Sequence, residues 1–420
     1  MWVLATAILW VILILRDGEF RFEPNPLVVP MFLLLVYGVI QMFPLGIARE
    51  LTVRETISFD PYLTMQACIK LFASILFFAM FATFVDTDER RKVAVRVILG
   101  VCIVIALIGV GQNYVGRALW RRGQFGPFVN RNHFAGFLEM GIGLASAAVI
   151  LRSVRLEMIA VHVCGVLIMC AGLILSASRG GVLALGAQLV FLALLAFTTA
   201  RDSKAHQPSR IRGLVRAGGV VGLGAGAVLV AILTVGSERL IANFAQAQDT
   251  FTQEQLNNER YNRRDIWRAT WELVKRHPVT GVGLGAFQVA YTQYDPSSGT
   301  QRVEQAHNDY LQILADAGLI GGALAVLFII ILLVRGLKAC ATEDIQRRAI
   351  AMGALTGCFG IVVHSLVDFN LQITSNAQLF LALAALATMK RERHGRAIRK
   401  RKRISQSRSA REAIPASVEG

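Results

Sequence analysis

Charged side chains are scarce in this chain. They make up 17% of its 420 residues, where a soluble domain carries about a quarter, so water is not its main solvent. Acidic residues are the scarcer sign, 28 against 44 Lys and Arg. Cysteines are few as well: Cys68, Cys102, Cys164, Cys170 and Cys358 fall inside apolar runs, and neither they nor Cys340 show metal-ligand spacing. That leaves no disulfide framework and no cysteine metal centre to build on. Hydrophobic sequence fills the space instead, 54% of the chain, much of it in runs of about 18 or more residues that can cross about 30 Å of hydrocarbon. A soluble enzyme with a single anchor, a disordered scaffold and a disulfide-stapled mini-domain are excluded. The composition implies an all-α, polytopic membrane protein.

Eleven spans can be read, near residues 2–15, 27–45, 63–85, 93–113, 134–151, 156–175, 180–197, 214–235, 310–334, 349–367 and 376–389. The first lacks a basic leading region and a small-residue cleavage site before Arg16, so it reads as a span rather than a signal peptide. The chain then divides into spans one to eight (1–235), one large loop with short helices (236–308), spans nine to eleven (309–389) and a basic tail (390–420) expected to be disordered. Basic residues crowd the tail from Lys390 to Arg411 and alternate short connections, so the positive-inside rule puts the tail in the cytoplasm and the large loop outside. A tail of this kind is attracted to anionic membrane lipids. It lacks the aromatics and the folded groove-reading module of a nucleic-acid binder.

Two outer segments break the charge rule. The connection before the fifth span carries Arg117, Arg121, Arg122 and Arg131, and the large loop carries more. Cations kept on that side suggest an anionic ligand there, although Arg can also simply solvate a long loop. Within the loop, NRRDIWRATWELVKRH over 262–277 reads as a helix stopped by Pro278, with Arg260, Arg264 and Arg268 stacked at spacings of four and with Arg263, Trp267 and Trp271 on the same side. An Arg and Trp face suits headgroup level and phosphorylated ligands; an interfacial helix without a ligand is the competing reading. The GVGLGAF that follows has a GxGxG spacing and no preceding strand, so it reads as a tight turn rather than a dinucleotide loop.

Candidate chemistry gathers where loops meet spans. His307 and Asn308 sit at the end of the large loop, and an imidazole there is a usable general base at neutral pH; a hydrogen-bonded structural histidine is the plainer alternative. Arg179 lies in the four-residue connection SASR before a span, where snorkelling competes with function. Asn130, Arg131, Asn132 and His133 precede the fifth span, and Glu139 within it is expected to pair with an arginine. Asp86 and Asp88 form a DxD, but on the inner side, away from the other candidates, so it is rejected as a metal site. Lys70 and His364 are the midplane ionisable residues that a transporter could use.

In this order GPFVNRNHFAGFLEMG, SASRGG, HPVTGVGLGAF and QAHNDYLQILADAGLIGG resemble the O-antigen ligase and polymerase superfamily of bacterial envelopes, by motif over about 115–335 and by hydropathy along the whole chain. The resemblance implies a GT-C-like fold in the bacterial inner membrane with its active site on the periplasmic face. It implies a metal-independent, cofactor-free glycosyltransferase that moves an undecaprenyl-pyrophosphate-linked glycan en bloc to an acceptor hydroxyl on a lipid or glycan. It further implies that His307 is the essential histidine and that Arg179, Arg263 or its neighbour Arg264, and Arg122 hold pyrophosphate, with Asn130, His133 and Asn308 in support. Ligase, polysaccharide polymerase and protein O-oligosaccharyltransferase all remain open. A membrane transporter is the alternative from another class.

Overall fold

The structure is a computed structural model that describes residues 12, 15, 16, 23–44, 56–115, 125–199, 210–235, 263–295 and 302–389. Among the described residues there are twelve α-helices and no strand beyond two isolated bridges, Pro44 with Thr56 and Phe125 with Phe128. In chain order the helices are α1 (Val28–Gln41), α2 (Pro61–Phe84), α3 (Asp88–Val115), α4 (Arg131–Ile150), α5 (Leu156–Leu175), α6 (Arg179–Thr198) and α7 (Arg210–Val235). They continue with α8 (Arg263–Arg276), α9 (Phe287–Tyr291), α10 (Asp309–Cys340), α11 (Ile345–His364) and α12 (Thr374–Thr388). The protein is thus an all-α polytopic membrane protein, as its composition implied.

The exact count of eleven expected spans is not confirmed. Among the described residues six helices, α2 to α6 and α10, are long and apolar enough to cross a bilayer by themselves, and α1 and part of α7 are apolar but shorter. Helices α11 and α12 form where spans were read but are less apolar, because they lie inside the protein: Ala351 to Cys358 and Leu379 to Thr388 are buried. The first expected span falls almost wholly outside the described residues, as do the tail and the loop from 236 to 262.

Helix α4 is the central post, buried from His133 to Ala148. Its small residues allow that. A Cβ added at Gly353 of α11 would come within 2.7 Å of the Leu144 Cα, and one added at Gly143 within 2.6 Å of the Gly357 N. Gly353 and Gly357 are thus a small-xxx-small pair, four residues apart, through which two backbones touch in the way that drives helix association in lipid.

The described part of the large loop folds back onto the bundle. Helix α8, which begins and ends within a residue of the expected 262–277, buries Ile266, Ala269, Leu273 and Val274 in a cluster with Val282, Phe287, Tyr291 and Ala315. The GVGLGAF turn wedges into a break in α10 at Gly318 (φ 60°, ψ −156°). There Val282 N donates to Ala315 O at 2.9 Å, Gly283 N to Asp316 O at 3.0 Å and Leu319 N to Pro278 O at 2.8 Å. Non-helical backbone at membrane depth is tolerated only where protein satisfies its polar groups, and here the loop does so. Gly281 (φ 64°) takes the left-handed conformation the turn demands, so the glycines shape a turn, as read from their spacing.

Candidate active site

The link between α11 and α12 is the hub of the site. It is short, polar and tied down from several sides. Asp309, at the start of α10, accepts from Ser365 Oγ at 2.7 Å and from Leu371 N at 3.2 Å. Asn308 caps α10 by accepting from Tyr310 N and Leu311 N, and its Nδ2 donates to Leu366 O at 2.8 Å. From α4, His133 O accepts from Asn376 Nδ2 at 3.0 Å. The N-terminal ends of α10 and α4 therefore meet on residues 365–376.

At the centre of that link is Asp368, 1% exposed. Its Oδ2 accepts from Arg263 Nη2 at 3.2 Å and from Asn132 Nδ2. Arg263 Nη1 also donates to Val367 O at 2.8 Å, so the guanidinium forks over two adjacent residues. On the other carboxylate oxygen, Oδ1, two imidazoles converge: His133 Nε2 and His307 Nδ1 each lie 3.8 Å away. Both rings also meet the Phe369 ring edge-on, each with a centroid separation of 4.7 Å. Burial pushes the Asp368 carboxyl up, but the His307 imidazole, the Arg263 guanidinium and the Phe369 N–H outweigh it and hold the group below the usual carboxylate range.

His307 is held in an uncommon backbone conformation, φ 51°, immediately before the Asn308 cap. Non-glycine residues seldom adopt it, and such strain gathers at functional sites. With Nδ1 turned to Asp368 and the ring 29% exposed, Nε2 is the nitrogen left to meet a reactant. At 3.8 Å Nδ1 has no hydrogen-bond partner among the described residues; a carboxylate that closes to hydrogen-bond distance of one imidazole nitrogen fixes the tautomer that makes the other a base.

Arg179 is exposed and opens α6, whose Ser178 cap accepts from Gly181 N at 3.1 Å. The next residue explains its placement. A Cβ added at Gly180 would sit 2.7 Å from Val367 Cγ2 and 2.9 Å from His364 Nε2, so the SASRGG turn rests on the same link that carries Asp368.

The structure thus gathers His307, Arg263, His133 and Arg179 about residues 364–369, and leaves other sequence candidates apart. Arg264 is exposed, and it is its neighbour Arg263 that meets Asp368. Asn130 serves as the α4 cap, accepting from Asn132 N at 2.8 Å, and Asn308 is likewise a cap and a tie. Arg122 lies outside the described residues.

Glu139 does not pair with an arginine as expected. Its Oε1 meets His364 Nδ1 at 2.9 Å, both side chains fully buried. His364 is therefore part of a fixed internal pair rather than a midplane transport residue, and Lys70 is exposed on the outer surface of α2. Asp86 and Asp88 are taken by arginines: Asp86 by Arg90 at 2.9 Å, and Asp88 by Arg91 at 3.1 Å and by Arg347 at 2.9 and 2.7 Å.

Sequence reasoning missed Asp368 and the pairing of Glu139 with His364. The one signal for Asp368 was an acidic residue at the membrane edge in an outer connection without a balancing cation.

Fold and site define a class: a polytopic helical membrane protein whose loop arginine and histidine converge on a buried carboxylate. Residues 164–326 match the family model described as O-antigen ligase, which supports the O-antigen ligase and polymerase superfamily that the motifs resemble and, with it, a membrane glycosyltransferase. The matched segment contains Arg179, Arg263 and His307, whereas His133, Glu139 and Asp368 lie outside it. No curated protein matches the chain.

Proposed function

We propose that the protein is a periplasmic-face glycosyltransferase of the inner membrane that moves an undecaprenyl-pyrophosphate-linked glycan en bloc to an acceptor hydroxyl. The observation that carries this reading is the approach of His307 Nδ1 to the buried Asp368, with Nε2 turned away and the Arg263 guanidinium on the same carboxylate.

In this mechanism the acceptor oxygen attacks the anomeric carbon while its proton passes to His307 Nε2. The bond from that carbon to the pyrophosphate oxygen breaks, its electron pair leaving with the pyrophosphate. Attack opposite the leaving group inverts the anomeric centre. Pyrophosphate is a stable anion once its charge is met, so general acid help is minor and the main task is electrostatic. Arg179 and Arg263 supply that preorganised charge, with Arg264 and Arg122 as the further pyrophosphate-binding cations that the motif resemblance implies. Asp368 orients the base and offsets the imidazolium that forms. No metal is given a role. The large loop carries Arg263 and His307, and the starts of α4, α6 and α10 flank them.

The transporter alternative is not favoured, because its two midplane candidates are a closed internal pair and an exposed lysine. The test is glycan profiling of a deletion strain complemented with either the wild-type chain or His307→Ala. Wild type is expected to restore polymer on its acceptor, while the variant accumulates lipid-linked glycan. A bare lipid core marks ligase activity, single repeat units on the core mark polymerase, and loss of glycan from protein alone marks the protein-directed type.

A further inference from the structure

At the end of the bundle opposite Asp368 lies a second cluster of charge that the proposed reaction does not use. Helix α11 runs from Arg347 in its first turn to His364 at its last residue, so the two ends are roughly 25 Å apart at 1.5 Å per residue. There Arg91 of α3, Arg335 and Lys338 of α10 and Arg347 of α11 line one cavity of about 350 Å³, whose apolar wall includes Leu386 and Met389.

Two of the four cations are already matched. Asp88 pairs with both Arg91 and Arg347, and Asp344 lies 3.8 Å from Arg347. Arg335 and Lys338 have no ion pair among the described residues, and the buried Arg335 Nε has no hydrogen-bond partner. A buried guanidinium N–H left unpaired is costly, and a cavity beside it is where its partner would sit. An anion completes this arrangement.

The surface leading to the cavity indicates what carries that anion. Val326, Ile330, Val334 and Leu337 are all exposed on one side of α10, at helical spacings that make a continuous apolar stripe ending beside Lys338. On a spanning helix such a stripe faces hydrocarbon. The ligand chemistry is therefore an anionic headgroup joined to alkyl chains.

We propose that this cavity binds the phosphate headgroup of an anionic phospholipid, with its acyl chains along the exposed face of α10. By the bias of Lys and Arg this is the cytoplasmic leaflet, where basic pockets between helices recognise such headgroups. The inference stands independently of the glycosyl-transfer reading.

The test uses the full-length protein. Wild type, Lys338→Gln and the double variant Arg335→Gln with Lys338→Gln are reconstituted in phosphatidylcholine bilayers with or without phosphatidylglycerol, then examined by native mass spectrometry and thermal denaturation. Lys70→Gln, which changes an exposed lysine elsewhere, is the control. Wild type and the control are expected to retain phosphatidylglycerol in preference to phosphatidylcholine and to melt higher in its presence. Retention falls about tenfold in the double variant and by a smaller factor in Lys338→Gln, which keeps the fold intact because its side chain is exposed. Equal retention by wild type and both variants would overturn the proposal. Inorganic phosphate or pyrophosphate alone, giving the same thermal shift without lipid, would overturn the lipid assignment and identify a soluble anion instead.

Discussion

His307 Nδ1 and Asp368 Oδ1 lie 3.8 Å apart, although one residue closes the large loop and the other sits in the link between the last two helices. The carboxylate is buried and the imidazole is partly open, so the pair has an inner end that orients and an outer end that can react. A distance slightly beyond hydrogen-bond length is usual for catalytic pairs without substrate.

Replacing Asp368 by Asn should leave the shape of the link but remove its charge. Transfer is expected to slow by about 10²–10⁴-fold, with most of the loss in kcat and little in KM for the donor, because the residue acts through His307. Steady-state kinetics with purified protein and lipid-linked donor check this. A loss confined to KM would instead make Asp368 a scaffold for Arg263.

Arg263→Lys keeps one positive charge but cannot fork across Val367 O and Asp368 Oδ2. Loss of one of these hydrogen bonds is worth about 1–3 kcal/mol when a charged partner remains. The expected outcome is a lower melting temperature together with weaker donor use, measured on the same preparation. Arg264→Lys, one residue on and exposed, should change stability by less than about 0.5 kcal/mol.

The acid behaviour of Asp368 has a definite sign. Its folded pKa is depressed, so the stability it contributes is fully present above the ordinary carboxyl value of about 4 and is lost as pH falls below that toward the folded value. Wild type should therefore lose thermal stability more steeply than Asp368→Asn in that acid window, and the two slopes should agree near neutrality. Parallel curves throughout would mean that Arg263 and His307 do not stabilise the ionised form.

Much of this architecture was legible in the sequence, and the parts that were not share a cause. Apolar runs located the helices because hydrocarbon demands length and composition together, and Pro278 marked the end of α8 because it cannot continue a helix. The motifs carrying Arg179, Arg263 and His307 stood out because cations and an imidazole where loops meet apolar spans are costly to keep without a task. Asp368 did not stand out, since a single carboxylate acquires meaning only from partners far away in the chain. Glu139 misled for a related reason: its neighbours in sequence are apolar, and its partner His364 is brought to it by the close crossing of α4 and α11 at glycines.

That buried pair gives another prediction. Glu139→Ala leaves His364 Nδ1 without its acceptor inside the bundle and is expected to cost about 3–5 kcal/mol. A double variant, Glu139→Leu with His364→Phe, removes both polar groups and should recover part of that loss. Thermal denaturation of Glu139→Leu, His364→Phe and the double variant measures the coupling. Strict additivity would show that the two side chains do not interact.

The break in α10 can be tested through Gly318. An added Cβ there would run into the Val279 carbonyl, in a conformation that L side chains rarely adopt. Gly318→Ala is expected to cost about 1–3 kcal/mol and to loosen residues 278–283, seen as faster hydrogen exchange in that segment. Unchanged exchange would mean that the loop is not held by the break.

The most direct measurement is transfer from a lipid-pyrophosphate glycan donor by purified His307→Ala, with and without added free imidazole. The expected result is a folded, membrane-inserted protein at background rate whose activity rises in proportion to imidazole as the free base takes up the acceptor proton. Wild-type transfer by His307→Ala in the absence of imidazole would contradict the assignment of His307 as the base.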